Sequence, residues 1–220
     1  MNSVSFWPST GKVDPVLVED ALRKGAPNSR ALPFRFLSAV KHAPQYSEAL
    51  SEAMCAAVEG NLFGETVVLV DVSGSMMSPL SSRSQLNCME AASALAVLVR
   101  EMASQCRIFT FSQKLVEVSN FRGLPLVANI YQSQPHGGTY LRGAIDALRP
   151  VVPKPHRVVL LTDEQAHDGL LPSWATKGYI INVAPYKPGL DTSGGWVRIN
   201  GFSERILDWM HYEEEETWAI

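Results

Sequence analysis

Apolar residues recur at helical spacing through the first sixty positions, and then the texture of the chain changes. Asp14-Pro15 reads as an N-cap followed by proline at the first helical position, with Val16–Lys24 as the helix and Gly25 as its stop. Pro33 opens a second short helix carrying Phe34, Phe36, Leu37 and Val40, which Pro44 ends. Ser47–Glu59 follows, with Leu50, Met54 and Val58 four residues apart on one stripe, and Gly60-Asn61 closes it. Thr66–Val70 is then a continuous β-branched run without alternation, the pattern of a strand buried on both faces, and Arg157–Leu161 is a second. Ile108–Phe111, Leu115–Val118, Tyr179–Val183 and Trp196–Ile199 predict further strands. Gln85–Met102, Pro125–Ser133 and Tyr140–Leu148 predict helices, and Ser203 caps a last one carrying Ile206, Leu207 and Met210. Strands alternating with helices predict an α/β fold: a doubly wound, mainly parallel sheet with helices on both faces, preceded by a short N-terminal helical segment. The change of texture divides the chain into a helical segment, 1–62, and an α/β domain, 63–220.

Bulk properties narrow this picture only a little. The 220 residues are 46% hydrophobic and 19% charged, ordinary for a globular protein, and suit one sizeable domain with an appendage. No apolar run approaches the roughly 20 residues that cross a bilayer. Met1–Pro8 has no basic region leading into an apolar stretch, which predicts no signal peptide and a cytoplasmic protein. Cys55, Cys88 and Cys106 are odd in number and unpatterned, so they read as buried thiols in a reducing compartment. A net charge of -3 offers no global attraction to nucleic acid.

Candidate chemistry gathers where the strands end. Asp71-Val72-Ser73-Gly74-Ser75-Met76 follows the first buried strand, at the sheet edge where open α/β folds bind ligands. Alternation through such a turn can point Asp71, Ser73 and Ser75 into one crevice. Thr139, in Gly137-Gly138-Thr139, adds a hydroxyl before a helix, and Asp163 ends the second buried strand. Two carboxylates and three hydroxyls are hard oxygen donors, the set that suits Mg²⁺, Mn²⁺ or Ca²⁺ and not zinc.

In these residues the chain closely resembles the von Willebrand factor type A family, whose metal-ion-dependent adhesion site is an Asp-x-Ser-x-Ser turn, a distant threonine and a later aspartate, in that order. The resemblance runs from about Glu65 to the end. It implies that Ser73, Ser75 and Thr139 ligate a divalent ion, Mg²⁺ foremost, through their hydroxyls. Asp71 and Asp163 would act directly or through water, leaving one position for a carboxylate from a protein partner. A narrower resemblance, carried by Asn28–Ala39, Val68–Met76 and His136–Tyr140, points to the Ro autoantigen (TROVE-module) family, which binds small RNAs through a ring of helical repeats. Only about sixty residues precede the type A region here, so most of that ring is absent and its RNA binding does not transfer.

One stretch keeps RNA in view as the alternative. Arg23, Lys24, Arg30, Arg35 and Lys41 fall between Asp20 and Glu48 with no acid among them, a set that could contact phosphates weakly. Catalysis is less favoured. Phosphatases with an Asp-x-Asp turn need an acid where Ser73 stands, no Gly-x-Ser-x-Gly elbow surrounds either serine, and no phosphate-cradling Gly-rich loop with lysine occurs. A metal-dependent hydrolase is the last of the readings. The histidines, tryptophans, Tyr131 and Tyr140 read as structural, and Met76-Met77 as packing beneath the site loop.

Overall fold

The computed structural model describes residues 14–25, 33–58, 61–82, 84–184, 189–201, 203 and 205–218. Helices α1 (Pro15–Gly25), α2 (Pro33–His42) and α3 (Ser47–Ala56) come first, with a 3₁₀ turn at Pro44–Tyr46. Asp14 caps α1, its carboxylate accepting from Val16 N at 3.0 Å. Strand β1 (Leu62–Asp71) and helix α4 (Cys88–Met102) follow, then the hairpin β2 (Ala103–Phe111) and β3 (Leu115–Val118). Helices α5 (Gly123–Gln132) and α6 (Leu141–Leu148) lead to strands β4 (Arg157–Thr162), β5 (Lys177–Asn182) and β6 (Trp196–Asn200), and α7 (Arg205–Trp218) closes the order. None of the described helices is long and apolar enough to cross a membrane.

The six strands form one sheet in the order β3-β2-β1-β4-β5-β6. All neighbours are parallel except β2 and β3, because the three residues 112–114 between them allow a hairpin but no crossover. Alternation along the strands builds two cores. Val68, Val70, Val159, Leu161, Tyr179 and Ile181 face one side, against α4, α5 and α7. Val67, Leu69, Phe109, Phe111, Val158, Leu160 and Ile180 face the other, against α6. That second face is thinly roofed: 163–176, between parallel strands β4 and β5, contains no helix. Indole N–H groups pin the irregular chain instead, Trp196 donating to Leu171 O and Trp174 to Val152 O, both at 2.8 Å.

Helix α4 starts three residues later than its apolar pattern suggests. Asn87 caps it, accepting from Glu90 N at 2.8 Å while the Glu90 carboxylate accepts from Asn87 N at 3.0 Å, a reciprocal capping box that fixes the first turn. Twelve of its fifteen residues are buried, so the helix must be covered on more than its sheet side. The N-terminal segment supplies part of that cover: Phe36, Leu37, Tyr46, Leu50 and Met54 join the same apolar cluster as α4 and α5. Helix α4 passes directly into β2, five residues before the predicted strand start. Glu59 and Gly60, the predicted end of α3, lie outside the described residues.

Candidate functional site

The sheet reverses direction at β1: the chain steps from β1 outward through β2 to β3, then returns to β4 on the other side. The two connections leave a crevice beyond the C-terminal ends of β1 and β4. The last paired residues there are Val70 and Leu161, so Asp71 and the Thr162–Asp163 step stand side by side at its floor.

Asp71 is fully buried. Its Oδ1 accepts from Ser73 N at 2.9 Å, and its Oδ2 accepts from Thr162 Oγ1 at 2.7 Å. Burial pushes the carboxyl up to about 6, with the Asp163 charge adding to the rise, while the hydrogen bonds from Ser73 and Thr162 pull the other way. Ser73 is buried too, and its Oγ lies 3.2 Å from Ser75 Oγ, which a 3₁₀ turn (Gly74–Met77) lifts to the crevice rim.

The loop bearing Thr139 is tied onto this turn from three sides. Gly74 N donates to Gly137 O at 3.0 Å, an approach that leaves a Cβ on Gly74 only 3.4 Å from His136 O. His136 Nδ1 donates to Val72 O at 2.8 Å. Ser112 Oγ accepts from Gly137 N at 2.9 Å and donates to Gly138 O at 3.0 Å, anchoring the loop to the end of β2. Thr139 is buried, and its carbonyl accepts from His167 N at 3.0 Å, which brings in the segment after β4. Asp163, also buried, accepts at Oδ1 from Gln165 N at 3.1 Å. All five predicted residues therefore lie on three mutually bonded loops at one sheet edge.

Several neighbours were not visible as site residues in the sequence. Thr162 orients Asp71 and Ser112 fixes the loop of Thr139; His136, which the sequence already placed at the border of the site, fixes the same loop. Glu164 holds the left-handed region at φ 60°, which costs a non-glycine residue about 1–3 kcal/mol and is found where surroundings enforce it. Its buried carboxylate pairs with Arg198. A Glu-Gln pair after a strand gives no sequence signal for this. Tyr131, Tyr140 and Met77, read as packing residues, are instead exposed, Tyr131 lying edge-on to His136 with ring centroids 5.0 Å apart. Met76 alone packs beneath the turn.

The donor set fits a hard divalent cation. Among the described residues no group of three or more His, Cys, Asp or Glu could hold a metal, so a cation here would rely on hydroxyl as well as carboxylate oxygen, the preference of Mg²⁺. The hydrogen bonds to Asp71 come from neutral donors, and a cation would offset the burial of its charge. Thiol chemistry has no foothold: burial pushes Cys55 and Cys88 up to about 11 and Cys106 up to about 12.

Among the described residues, three of the basic candidates, Arg23, Lys24 and Lys41, are held in ion pairs. Arg23 pairs with Glu52 and with Glu19, Lys24 with Asp20 at 2.8 Å, and Lys41 with Glu90 at 2.6 Å. Arg35 is exposed, and Arg30 lies outside the described residues. The acid-free window in the sequence hid this, because two of these acids, Glu52 and Glu90, lie beyond it and two, Glu19 and Asp20, at its border.

The family model of the von Willebrand factor type A domain matches residues 66–165, a span that holds all five candidate ligands. No functionally curated protein matches the sequence. The crystal structure of the Ro (RSR) protein of Deinococcus radiodurans is similar over 88% of this chain and 45% of its own, at 18% identity and a TM-score of 0.63. This chain thus spans less than half that protein's length, and at such identity the likeness is one of fold. An aerotolerance-related membrane protein from Bacteroides fragilis matches over 54% of this chain and 66% of its own, at 17% identity and a TM-score of 0.40.

Proposed function

We propose that the chain, whose residues 66–165 match the family model of the von Willebrand factor type A domain, is a divalent-metal-dependent binding module that engages an acidic group of a protein partner. Mg²⁺, or Mn²⁺ or Ca²⁺ in its place, would be held by Ser73, Ser75 and Thr139 with Asp71 and Asp163. The observation that carries this reading is Asp71: a fully buried carboxylate, bonded only by neutral donors in the described contacts, beside paired serine hydroxyls and a second carboxylate. Bound there, the ion would supply Lewis acidity toward an incoming carboxylate. The chain's own part is to orient the oxygens. Thr162 fixes Asp71, Gly74 N and His136 fix the two loops against each other, and the buried floor excludes water.

In this reading the protein binds and does not catalyse, residues 1–62 are a helical appendage to the 63–220 domain, and the setting is a Ro-like ribonucleoprotein system in the cytoplasm. The Ro part of that setting draws on the fold likeness to the Deinococcus Ro (RSR) protein, and the rest on the sequence. RNA binding by the appendage itself would be weak, since three of its basic residues are already in ion pairs.

The test is a pull-down with peptides carrying a single Asp or Glu, in Mg²⁺ and in EDTA. Capture should require Mg²⁺ and should be lost in Thr139→Ala and Asp163→Ala, with both variants folded by circular dichroism. Capture that persists in EDTA would refute metal dependence.

A further inference from the structure

Glu164 is the only non-glycine residue with positive φ among the described residues, and it stands directly after Asp163. Its side chain is fully buried. The carboxylate accepts from Arg198 Nε and Nη2 at 2.9 Å each, and from the amides of Gly189 and Leu190 at 3.1 Å each. Three of these N–H groups reach Oε2 and one reaches Oε1, and with the Arg198 charge beside it the buried carboxylate is balanced within the protein. Arg198 Nη2 also donates to Leu190 O, which closes the clamp onto β6. The two chain segments meet closely: a Cβ on Gly189 would stand 2.6 Å from Glu164 O.

The backbone around the same residue controls both carboxylates of the site. Glu164 N donates to Thr162 Oγ1 at 3.0 Å, leaving that hydroxyl's single hydrogen for Asp71 Oδ2 at 2.7 Å. The next amide, Gln165 N, donates to Asp163 Oδ1 at 3.1 Å. The turn at 164 therefore aims an amide at each side: one acts on Asp71 through Thr162, the other on Asp163 directly. A left-handed glutamate does not hold such a turn unaided, and the side-chain clamp is what holds it.

We infer that Glu164 is the positioning residue of the site, its clamp to Arg198, Gly189 and Leu190 holding the turn that orients Asp71 and Asp163 and coupling the site to strand β6. The coupling half rests on the reading of the site as a divalent-cation site; the orienting half does not. Occupation at the crevice tightens the turn, and the clamp carries that order to 189–190.

NMR-resolved hydrogen exchange and Mg²⁺ calorimetry on the whole chain test both halves. Glu164→Gly removes the clamp and relieves the left-handed backbone, whereas Glu164→Gln keeps the side-chain volume and removes the charge. In metal-free protein, the amides of residues 164 and 165 should exchange at least tenfold faster in both variants, with Val159 in β4 unchanged. Mg²⁺ affinity should fall at least tenfold. In the wild type, Mg²⁺ should slow exchange at Gly189 and Leu190, an effect absent from Asp71→Ala. Wild-type exchange rates at 164 and 165 in both variants would overturn the inference. Faster exchange with unchanged Mg²⁺ affinity, or metal-insensitive amides at 189–190, would overturn the coupling. If the wild type takes up no Mg²⁺ while exchange at 164 and 165 rises as stated, the metal reading falls and the orienting role stands.

Discussion

The sheet buries a charge at each of its edges, Arg157 at the start of β4 and Asp71 at the end of β1, and the two edges treat it differently. At the N-terminal edge of the sheet the fully buried Arg157 donates from Nε to Glu214 Oε1 at 2.6 Å, from Nη1 to Thr66 Oγ1 at 2.7 Å, and from Nη2 to the second Glu214 oxygen. Tyr179 Oη lies 2.7 Å from a Glu213 oxygen and 3.0 Å from Glu214 Oε1, its single hydrogen set between the two carboxylates, and Lys177 pairs with Glu213. Cation and anion meet inside the chain, and the arrangement bolts α7 to the sheet. At the C-terminal edge, Asp71 is as deeply buried but meets a backbone amide and a hydroxyl. A buried charge balanced by the chain's own opposite charge is a structural joint. One surrounded by neutral donors draws its balance from a proton or from a cation outside the chain.

The largest effect follows from breaking the balanced end. Arg157→Ala leaves Glu214 buried without its main partner, which should cost about 3–5 kcal/mol in chemical denaturation. The variant should still respond to Mg²⁺ if it folds at low temperature, because the sheet's other edge is untouched. A loss below about 1 kcal/mol would mean that the two ends do not differ in kind.

The opposite end should be adjustable from outside. Burial pushes the Asp71 carboxyl up to about 6, against an ordinary value of about 3.9. Between those two values the unfolded chain is ionised while folded Asp71 keeps its proton. Metal-free stability should therefore fall as pH rises through that window, by about 3 kcal/mol in all. Asp71→Asn should flatten this slope in urea denaturation measured from pH 4 to 7. An unchanged slope would place the titration elsewhere.

Mg²⁺ should restore much of that loss, stabilising the wild type by about 2.7 kcal/mol at a hundredfold excess over its dissociation constant. The gain should fade below pH 6, as protons compete for Asp71. Melting curves with Mg²⁺ and with EDTA at pH 5 and 7 would show it, and equal shifts in Asp71→Ala would contradict the assignment.

Smallest of all should be the response to RNA. With Arg23, Lys24 and Lys41 in ion pairs, few phosphates are within reach, and each neutralised phosphate on a single strand contributes about −0.7 to the salt slope. Binding should vanish at physiological salt. Tight, salt-resistant binding lost in Arg35→Ala would instead mark the helices as an RNA site.

The comparison also explains what could be read in advance. Strands β1 and β4 were legible because burial on both faces forces continuous β-branched runs, and the Asp-x-Ser-x-Ser turn was legible because its ligands are adjacent in sequence. The start of α4 was misplaced by three residues because an apolar pattern does not reveal a capping box. The joints were illegible: Arg157 meets Glu214 across 57 positions and Glu164 meets Arg198 across 34. Neither pair has a spacing that periodicity can detect, since tertiary contact alone defines them. The ion pairs of Arg23, Lys24 and Lys41 were hidden for a similar reason, since their partner acids lie at or beyond the border of the basic window.

The most direct test is a Mn²⁺ titration followed by electron paramagnetic resonance, with Mg²⁺ as competitor. The wild type should bind one ion per chain at the β1–β4 edge, displaced by Mg²⁺. The ion should be lost in Asp71→Ala and Ser73→Ala and kept in Asp208→Ala, which removes an exposed carboxylate on α7. Undiminished binding in Asp71→Ala, or no bound ion in the wild type, would contradict the account.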